Sequence, residues 1–164
     1  MEDSMKMIEL QIGDKAPDFT LKNQSAEDVS LREYAGSWLV LYFYPKDNTP
    51  GCSLEAKEFT CLVDEFSALD TIILGVSKDS IKSHNNFIEK QDLGIDLLSD
   101  PKHEVMEKYG VWQKKKLYGN EFLGVVRSTF LITPEGEIAQ AWYKVKAKGH
   151  AEMVLEKLKE LQAG

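Results

Sequence analysis

A continuous hydrophobic run covers residues 38–44, and the pattern of the chain is clearest around it. Because no polar positions alternate with the apolar ones, both faces of this strand are expected to be buried, as in the central strand of a parallel sheet. Pro45 ends the run, and a polar loop follows over residues 46–49. Shortly afterwards comes Cys52, from which point the pattern becomes helical. The stretch therefore predicts a buried strand, a loop and a cysteine at the N-terminus of a helix.

The helix that follows Cys52 has one apolar face. On a helical wheel Cys52 lies in line with this face, whereas Cys61 lies off it. Cys61 is nine residues further along, which is about 180° around the helix and about 13.5 Å along its axis. The pattern thus places the two cysteines on different sides of one helix. The apolar stripe consists of Phe59, Leu62, Val63, Phe66 and Leu69.

The remainder of the chain alternates strands and helices. Short strands are predicted where apolar residues lie between turn residues, over residues 18–21, 71–76, 95–98, 127–133 and 138–145. Helices are predicted where capping residues precede an apolar stripe, over residues 79–91, 100–110 and 150–162. Residues 111–124 show neither pattern and are predicted to be irregular.

The order of these elements predicts an α/β fold. It implies a central, mostly parallel sheet that is extended by an antiparallel hairpin and has helices on both faces. The loop before Cys52 then lies at the carboxyl end of a central strand, where open α/β sheets place their sites. Residues 1–7 are expected to be a flexible tail. Residues 8–164 are expected to form a single domain, because no repeat or change of composition divides them.

Composition and charge narrow the class of protein. Of the 164 residues, 43% are hydrophobic and 29% charged, which is typical of a soluble globular protein. No hydrophobic run approaches the ~20 residues that a membrane-spanning helix needs. The N-terminus lacks the apolar core of a secretory signal, so we expect a cytoplasmic protein. The net charge of -7 argues against nucleic acid and anionic membranes as partners.

Cys52 is the candidate for a reactive thiol. A lone cysteine is more often a small buried hydrophobic residue, but a helix N-terminus favours the thiolate, and a nearby cation lowers the pKa of a cysteine further. Arg127 is a candidate cation, because it begins a strand whose end can lie near the loop. The Thr49 hydroxyl can bond to the sulfur or to a bound oxygen. Pro45 removes a backbone N–H and fixes the entry of the loop.

The other polar residues do not suggest a metal or cofactor site. The chain contains two cysteines, with no C-x-x-C pair, and three scattered histidines, so we predict neither a metal nor a cofactor. The histidines fall in or beside helices that are predicted to be exposed. We therefore interpret His84, His103 and His150 as surface residues.

The residues around Cys52 resemble a known signature. Pro45-x-x-x-Thr49-x-x-Cys52 is similar to the signature of peroxiredoxins, which are thiol peroxidases of the thioredoxin-like fold. The longer string YFYPKDNTPGCSLEA resembles the Q type, also called bacterioferritin comigratory proteins. Further similar segments are GDKAPDFTL, YGVW and RSTFLI, so that the resemblance extends over roughly residues 8–162.

The resemblance implies a role for each residue of the loop. Cys52 would be the peroxidatic cysteine, whose thiolate attacks a peroxide and becomes a sulfenic acid. Thr49 and Arg127 would hold the peroxide oxygens and stabilise the developing charge, and Pro45 would shield the thiolate. Glu55 would support the loop and Arg127. The alternative for Glu55 is an ordinary acidic residue in the first turn of a helix, where the dipole favours it.

The chain departs from the resemblance in how the sulfenic acid is reduced. Many Q-type members carry a second, resolving cysteine five residues after the first, and here that position is Lys57. Cys61 is too far along the helix to form a disulfide with Cys52 unless the helix unwinds, since disulfides need Cα atoms roughly 4.4–6.8 Å apart. Three roles remain open for Cys61. It is a bystander thiol, it resolves the sulfenic acid after the helix unwinds, or it forms a disulfide with another chain. We favour a one-cysteine cycle with an external thiol.

The resemblance also implies partners. It implies a peroxide as the substrate, and thioredoxin, glutaredoxin or a small thiol as the reductant. By analogy we expect a monomer or a weak homodimer. Two other functions compete with the peroxidase: a redox sensor or chaperone that uses oxidation of Cys52 as a signal, and a thioredoxin-like disulfide oxidoreductase. The missing C-x-x-C counts against the oxidoreductase.

Overall fold

The computed structural model of the protein describes residues 9–164. The flexible tail predicted over residues 1–7 lies outside the described residues. The strands within them are β1 Thr20–Asn23, β2 Asp28–Ser30, β3 Trp38–Phe43, β4 Thr71–Ser77, β5 Asp96–Ser99, β6 Trp112–Leu117, β7 Asn120–Val125, β8 Ser128–Ile132 and β9 Ile138–Trp142. The helices are α1 Pro50–Cys61, α2 Val63–Ala68, α3 Ile81–Gln91, α4 Glu104–Lys108 and α5 His150–Ala163, and a 3-10 turn covers Leu31–Tyr34.

Seven of the strands form one sheet in the order β2-β1-β5-β4-β3-β8-β9. Its three central strands, β5, β4 and β3, run parallel to one another. On one side β8 pairs antiparallel with β3, and β9 completes the hairpin with β8. On the other side β1 and β2 form a second antiparallel pair. The predicted α/β fold, with a parallel centre and an antiparallel hairpin, is confirmed.

The hydrophobic core lies on both faces of this sheet. Alternate residues of β3 point to opposite sides, so that Leu41 and Phe43 belong to one apolar cluster and Val40 and Tyr42 to the other. Side chains of α1, α2, α3 and α5 fill the second cluster, whereas α4 and the 3-10 turn contribute to the first. The complete burial of residues 39–43 confirms that β3 is the central strand that its sequence predicts.

Residues 111–124 are not irregular, and that prediction is wrong. They contain β6 and most of β7, which form a separate two-stranded ribbon. Tyr118 and Gly119 both have positive φ angles at its turn, the backbone that two-residue hairpins favour. The ribbon escaped prediction because most of its residues are exposed, so apolar and polar positions do not alternate along it. Only its base, at Trp112 and Val125, is buried.

Two helices differ from their predicted bounds. The long helix after Cys52 is interrupted at Leu62, which divides it into α1 and α2. The helix predicted from residue 100 begins at Glu104 instead. Asp100 still acts at its N-terminus, because the Asp100 carboxylate accepts a hydrogen bond from the Met106 amide at 2.9 Å. Among the helices of residues 9–164, none is long and apolar enough to cross a membrane.

Gly75 is the position in β4 at which the packing of the sheet tolerates no side chain. It pairs with Tyr42 on β3 and with Leu97 on β5. A Cβ atom at Gly75 would lie 2.9 Å from both the Tyr42 ring and a Leu97 methyl group. We therefore expect Gly75→Ala to lower the free energy of unfolding by about 1–3 kcal/mol, measured by urea denaturation.

Gly94→Ala provides the matched control for this substitution. Its added Cβ would meet only the Thr60 methyl group, at an ordinary 3.4 Å, and its φ lies outside the left-handed region. The control is expected to be neutral or slightly stabilising. Equal stability of Gly75→Ala and the wild type would contradict the close packing described here.

Candidate active site

Cys52 lies in the first turn of α1, at the carboxyl end of β3. Thr49 is the N-cap residue of this helix, and Pro50 occupies its first position. Both features are typical of a helix start, since proline lacks the N–H that would stay unpaired there. The Cys52 side chain is only 2% exposed and packs within the apolar cluster formed by α1 and β3. The predicted order of a buried strand, a loop and a cysteine at the N-terminus of a helix is therefore observed.

Arg127 is brought to Cys52 by the sheet. It immediately precedes β8, and the first residue of β8, Ser128, pairs with Phe43 at the carboxyl end of β3. From there the Arg127 Nη2 donates to the Cys52 Sγ at 3.4 Å. Gly51 makes this approach possible, because a Cβ at that position would lie 3.1 Å from the same Nη2. A guanidinium in contact with the sulfur stabilises the thiolate form of Cys52.

Glu55 holds the guanidinium from the other side. The Arg127 Nη1 donates to the Glu55 Oε1 at 2.6 Å, and the Glu55 side chain is fully buried. Glu55 is one helical turn after Cys52, so both residues face the same arginine. The structure thus contains a Glu55–Arg127 contact, and the supporting role of Glu55 stays a prediction. The second carboxylate oxygen, Oε2, and the hydroxyl of Tyr42 are buried and accept or donate no hydrogen bond among the described residues.

Burial and the neighbouring charges shift the pKa values of Glu55 and Arg127. Burial raises the pKa of Glu55 from 4.5 to about 7, although the charge and hydrogen bond of Arg127 act in the opposite direction. Burial is also the largest influence on Arg127 and lowers the pKa of its guanidinium, but the charges of Glu55 and Cys52 outweigh it, and the pKa is raised. Arg127 therefore stays cationic, and Glu55 titrates near neutral pH.

Thr49 and Pro45 belong to the loop between β3 and α1, and neither forms a hydrogen bond with the Cys52 sulfur. The Thr49 hydroxyl donates to the Lys46 carbonyl at 2.8 Å, within the loop. It therefore does not bond to the Cys52 sulfur, which was one of its two predicted partners. Because this bond uses its only hydrogen, the Thr49 oxygen keeps its lone pairs and can accept a hydrogen bond. Pro45 is partly buried at the start of the loop, directly after β3.

Cys61 stands apart from this cluster. It is the last residue of α1 and is exposed, whereas Cys52 is buried near the start of the same helix. Because α1 is continuous between them, the helical rise keeps the two Cα atoms about 13.5 Å apart along the axis. The structure does not bring the two sulfurs together.

The prediction that His84 and His150 are surface residues is wrong. Each is at most 2% exposed, whereas His103 is partly exposed. The His150 Nε2 contacts the Thr129 hydroxyl at 2.8 Å, and burial, followed by the charge of Arg127, lowers the pKa of His150 from 6.5 to about 4. Neither His84 nor His150 bonds to Cys52.

A helical wheel contains the signal that these histidines are buried. His84 is followed at helical spacing by Phe87 and Ile88, and His150 by Val154 and Leu158. Each histidine thus lies on the apolar face of its helix. Within residues 9–164, no group of three or more candidate metal ligands is found.

Comparison with known proteins identifies the family. Residues 12–141 match the model of the AhpC/TSA family. The chain belongs to the AhpC/TSA family. It is 47% identical to peroxiredoxin Bcp of Bacillus subtilis over 152 residues, which are 93% of this chain and 97% of that protein. It is 48% identical to peroxiredoxin Bcp of Xanthomonas campestris over 142 residues, covering 87% of this chain and 89% of the relative.

Solved structures agree with this assignment. The bacterioferritin comigratory protein of Xanthomonas campestris superimposes with a TM-score of 0.83 at 46% identity, covering 87% of this chain and 90% of that one. PrxQ of Xylella fastidiosa, as a cysteine-to-serine mutant, gives a TM-score of 0.90 at 42% identity, covering 94% of this chain and 99% of that one. The resemblance to Q-type peroxiredoxins and the thioredoxin-like fold are confirmed. These relatives support a thiol-dependent peroxidase over the redox sensor and the disulfide oxidoreductase.

The titration of Glu55 predicts how stability depends on pH. Because the pKa of Glu55 is higher in the folded state than its ordinary 4.5, the folded protein binds the proton more tightly, and stability falls as pH rises from about 4.5 through about 7. Above that window the loss is complete and amounts to about 3 kcal/mol, at about 1.4 kcal/mol per pKa unit. Glu55→Gln cannot titrate and should lack this loss.

The measurement is urea unfolding of wild type and Glu55→Gln at pH 5, 6, 7 and 8. Glutamine keeps an oxygen that accepts from Arg127, so the variant isolates the charge of Glu55 from its hydrogen bond. The variant should gain stability relative to wild type across this range. If the difference in free energy of unfolding between wild type and Glu55→Gln were the same from pH 5 to pH 8, that result would contradict the raised pKa of Glu55.

Proposed function

We propose that Cys52 is the peroxidatic cysteine of a thiol-dependent peroxidase that reduces hydrogen peroxide and organic hydroperoxides. The observation that carries this proposal is the 3.4 Å contact between the Arg127 guanidinium and the Cys52 sulfur at the start of α1. The unpaired amides of the helix N-terminus and the guanidinium both favour negative charge on the sulfur. No histidine is needed as a base.

The reaction is a nucleophilic displacement at oxygen. The Cys52 thiolate attacks the terminal oxygen of the peroxide, a sulfur–oxygen bond forms, and the oxygen–oxygen bond breaks with its electron pair going to the leaving oxygen. Cys52 becomes a sulfenic acid, and the leaving hydroxide or alkoxide takes a proton to give water or an alcohol. Negative charge thus moves from sulfur to oxygen beside Arg127, whose guanidinium is already in place to stabilise it.

Thr49 and Pro45 complete the site in this proposal. The Thr49 oxygen retains its lone pairs for the O–H of the peroxide, because its own hydrogen is directed to Lys46. Pro45 offers no backbone N–H and covers the thiolate with an apolar ring. Glu55 acts through Arg127, which it holds at 2.6 Å.

We propose a one-cysteine cycle for the return of Cys52 to the thiol. Cys61 is exposed at the far end of α1, so an intramolecular disulfide requires that helix to unwind. In the one-cysteine cycle an external thiol condenses with the sulfenic acid and releases water, and a second thiol then reduces the mixed disulfide. Thioredoxin, glutaredoxin or a small thiol would supply these electrons. Because Cys52 is 2% exposed, any such reductant requires local opening around it.

The remaining proposals concern the setting of the enzyme. We place it in the cytoplasm as a monomer or weak homodimer, a single domain over residues 8–164. The net charge of -7 leaves nucleic acid and anionic membranes as unfavourable partners. Sedimentation at several protein concentrations measures the oligomeric state.

Intact-mass analysis tests the proposal directly. One equivalent of hydrogen peroxide is added to the wild type, Cys52→Ser and Cys61→Ser under non-reducing conditions. We expect one added oxygen in wild type and in Cys61→Ser, and no change in Cys52→Ser, since only Cys52 has the cation and helix terminus that favour its thiolate. This result establishes Cys52 as the oxidised residue and directs the search to an external thiol.

Other outcomes contradict separate parts of the proposal. A loss of two hydrogens that requires both cysteines means that Cys61 resolves the sulfenic acid and that α1 unwinds. A doubled mass that depends on Cys61 means that the disulfide forms between two chains. A wild type that is unchanged by peroxide would overturn the peroxidase function of Cys52.

A further inference from the structure

His84 is a buried residue that the proposed reaction does not use. It lies on α3 beneath the loop that leads to Cys52, and its side chain is 0% exposed. Its Nδ1 lies 2.8 Å from the Asp47 carboxylate, and its Nε2 lies 2.8 Å from the Leu98 carbonyl. Asp47 belongs to the loop, and Leu98 to β5. His84 therefore connects the loop to the helix and to the sheet beneath it.

The hydrogen-bond partners of His84 determine how many hydrogens His84 and Asp47 hold between them. Both ring nitrogens face acceptor atoms, a carboxylate and a carbonyl, so a hydrogen is required along each contact. A neutral imidazole carries only one. The pair therefore holds a second hydrogen, as a histidine cation beside the carboxylate or as a proton shared with Asp47. Its charge is balanced internally, which is the condition under which ionisable groups are buried.

Asp47 is held by more than His84. Its carboxylate also accepts hydrogen bonds from the Tyr44 hydroxyl at 2.6 Å and the Ser83 hydroxyl at 2.8 Å. Its backbone N–H donates to the Asp79 carboxylate at 2.8 Å. The residue is thus fixed from the residue that follows β3, from α3 and from the segment after β4.

One peptide group connects the hydrogen bonds of Asp47 to Thr49, which lies at the end of the loop next to α1. The peptide that joins Lys46 to Asp47 donates its N–H to Asp79 and accepts the Thr49 hydroxyl at its carbonyl. Any movement of Asp47 therefore redirects the Thr49 hydroxyl. Thr49 is in turn the N-cap residue of the helix on which Cys52 lies.

We propose that His84 and Asp47 are positioning residues for the peroxidase reaction: the buried His84–Asp47 pair fixes the peptide that orients Thr49 toward the peroxide. This inference rests on the proposed function of Cys52. It differs from a general contribution to stability, because it assigns the pair an effect on the reaction with peroxide in protein that is fully folded.

The first test is the protonation of His84 in the full-length protein. In 15N-labelled protein at neutral pH, NMR should show hydrogen on both ring nitrogens of His84, since both face acceptors. His150 is the internal comparison: its pKa is lowered to about 4, so one of its ring nitrogens should be bare. A bare ring nitrogen on His84 at neutral pH would overturn the two-hydrogen pair.

The second test separates positioning from stability by comparing two reactions of Cys52. Alkylation by iodoacetamide needs the thiolate but not the Thr49 hydroxyl, whereas the reaction with hydrogen peroxide needs both. His84→Phe keeps a ring of similar shape and removes both donors. We expect the ratio of the peroxide rate constant to the alkylation rate constant to fall about tenfold or more, the scale of a small misplacement in an active site.

Two further variants keep this test decisive. Ser83→Ala removes one of the hydrogen bonds to Asp47, should fold, and should lower the same ratio about threefold. Leu158→Ala truncates a fully buried residue of α5 and should lower stability without changing the ratio. If His84→Phe does not fold, the ratio of rate constants measured for Ser83→Ala decides whether the pair has a positioning role.

The outcomes separate the two proposals. A wild type that reacts with peroxide, together with an unchanged ratio in the folded His84→Phe or Ser83→Ala variant, would overturn only the positioning role. A fall of the ratio in Leu158→Ala equal to that in His84→Phe would also overturn it, since the effect would then follow stability. A wild type that does not react with peroxide would overturn the proposed function and this inference with it.

Discussion

The contact between Arg127 and Cys52 is the interaction on which the site depends, and the antiparallel pairing of β8 with β3 produces it. A thiolate that is 2% exposed has lost nearly all contact with water and requires another source of stabilisation. The guanidinium supplies it at 3.4 Å, and the N-terminus of α1 adds its unpaired amides. If β8 ran parallel to β3, its first residue would lie at the amino end of β3, and Arg127 would be on the opposite side of the sheet from Cys52 along the strand direction. The direction of one strand thus decides whether Arg127 reaches Cys52.

The arginine that stabilises the thiolate is itself held by a group that is unfavourably buried. Glu55 is fixed to Arg127 at 2.6 Å, yet its second oxygen has no hydrogen-bond partner among the described residues, and burial raises its pKa to about 7. Glu55 and Cys52 therefore share one cation, since both contact the Arg127 guanidinium. In the proposed reaction, attack on peroxide moves charge from the sulfur to the leaving oxygen, and the guanidinium that contacts the sulfur would stabilise that charge.

The sequence predicts those parts of the molecule in which hydrophobic pattern and burial agree. The uninterrupted run of β3, the cysteine after Pro45 and the alternation of strands and helices along the chain follow from local pattern alone. The ribbon of β6 and β7 does not, because it is exposed on both faces and carries no alternation. His84 is a different case: its place on an apolar helix face indicates burial, but the sequence does not identify Asp47, 37 residues away, as the partner that makes the burial favourable.

The hydrogen bonds that hold the loop lie on either side of Cys52. The segment between them can therefore open for reduction of Cys52 while the bonds on both sides stay in place. The hydrogen bonds to Asp47 lie before Thr49, and the Glu55–Arg127 contact lies one helical turn beyond Cys52. Between these two anchors the chain contains Gly51 and the first turn of a helix, whose leading amides lack intrahelical partners. Opening of this turn breaks few backbone bonds, whereas reaching Cys61 would require most of α1 to unwind. The anchors therefore favour a reductant that comes to Cys52 over a cysteine that travels to Cys61.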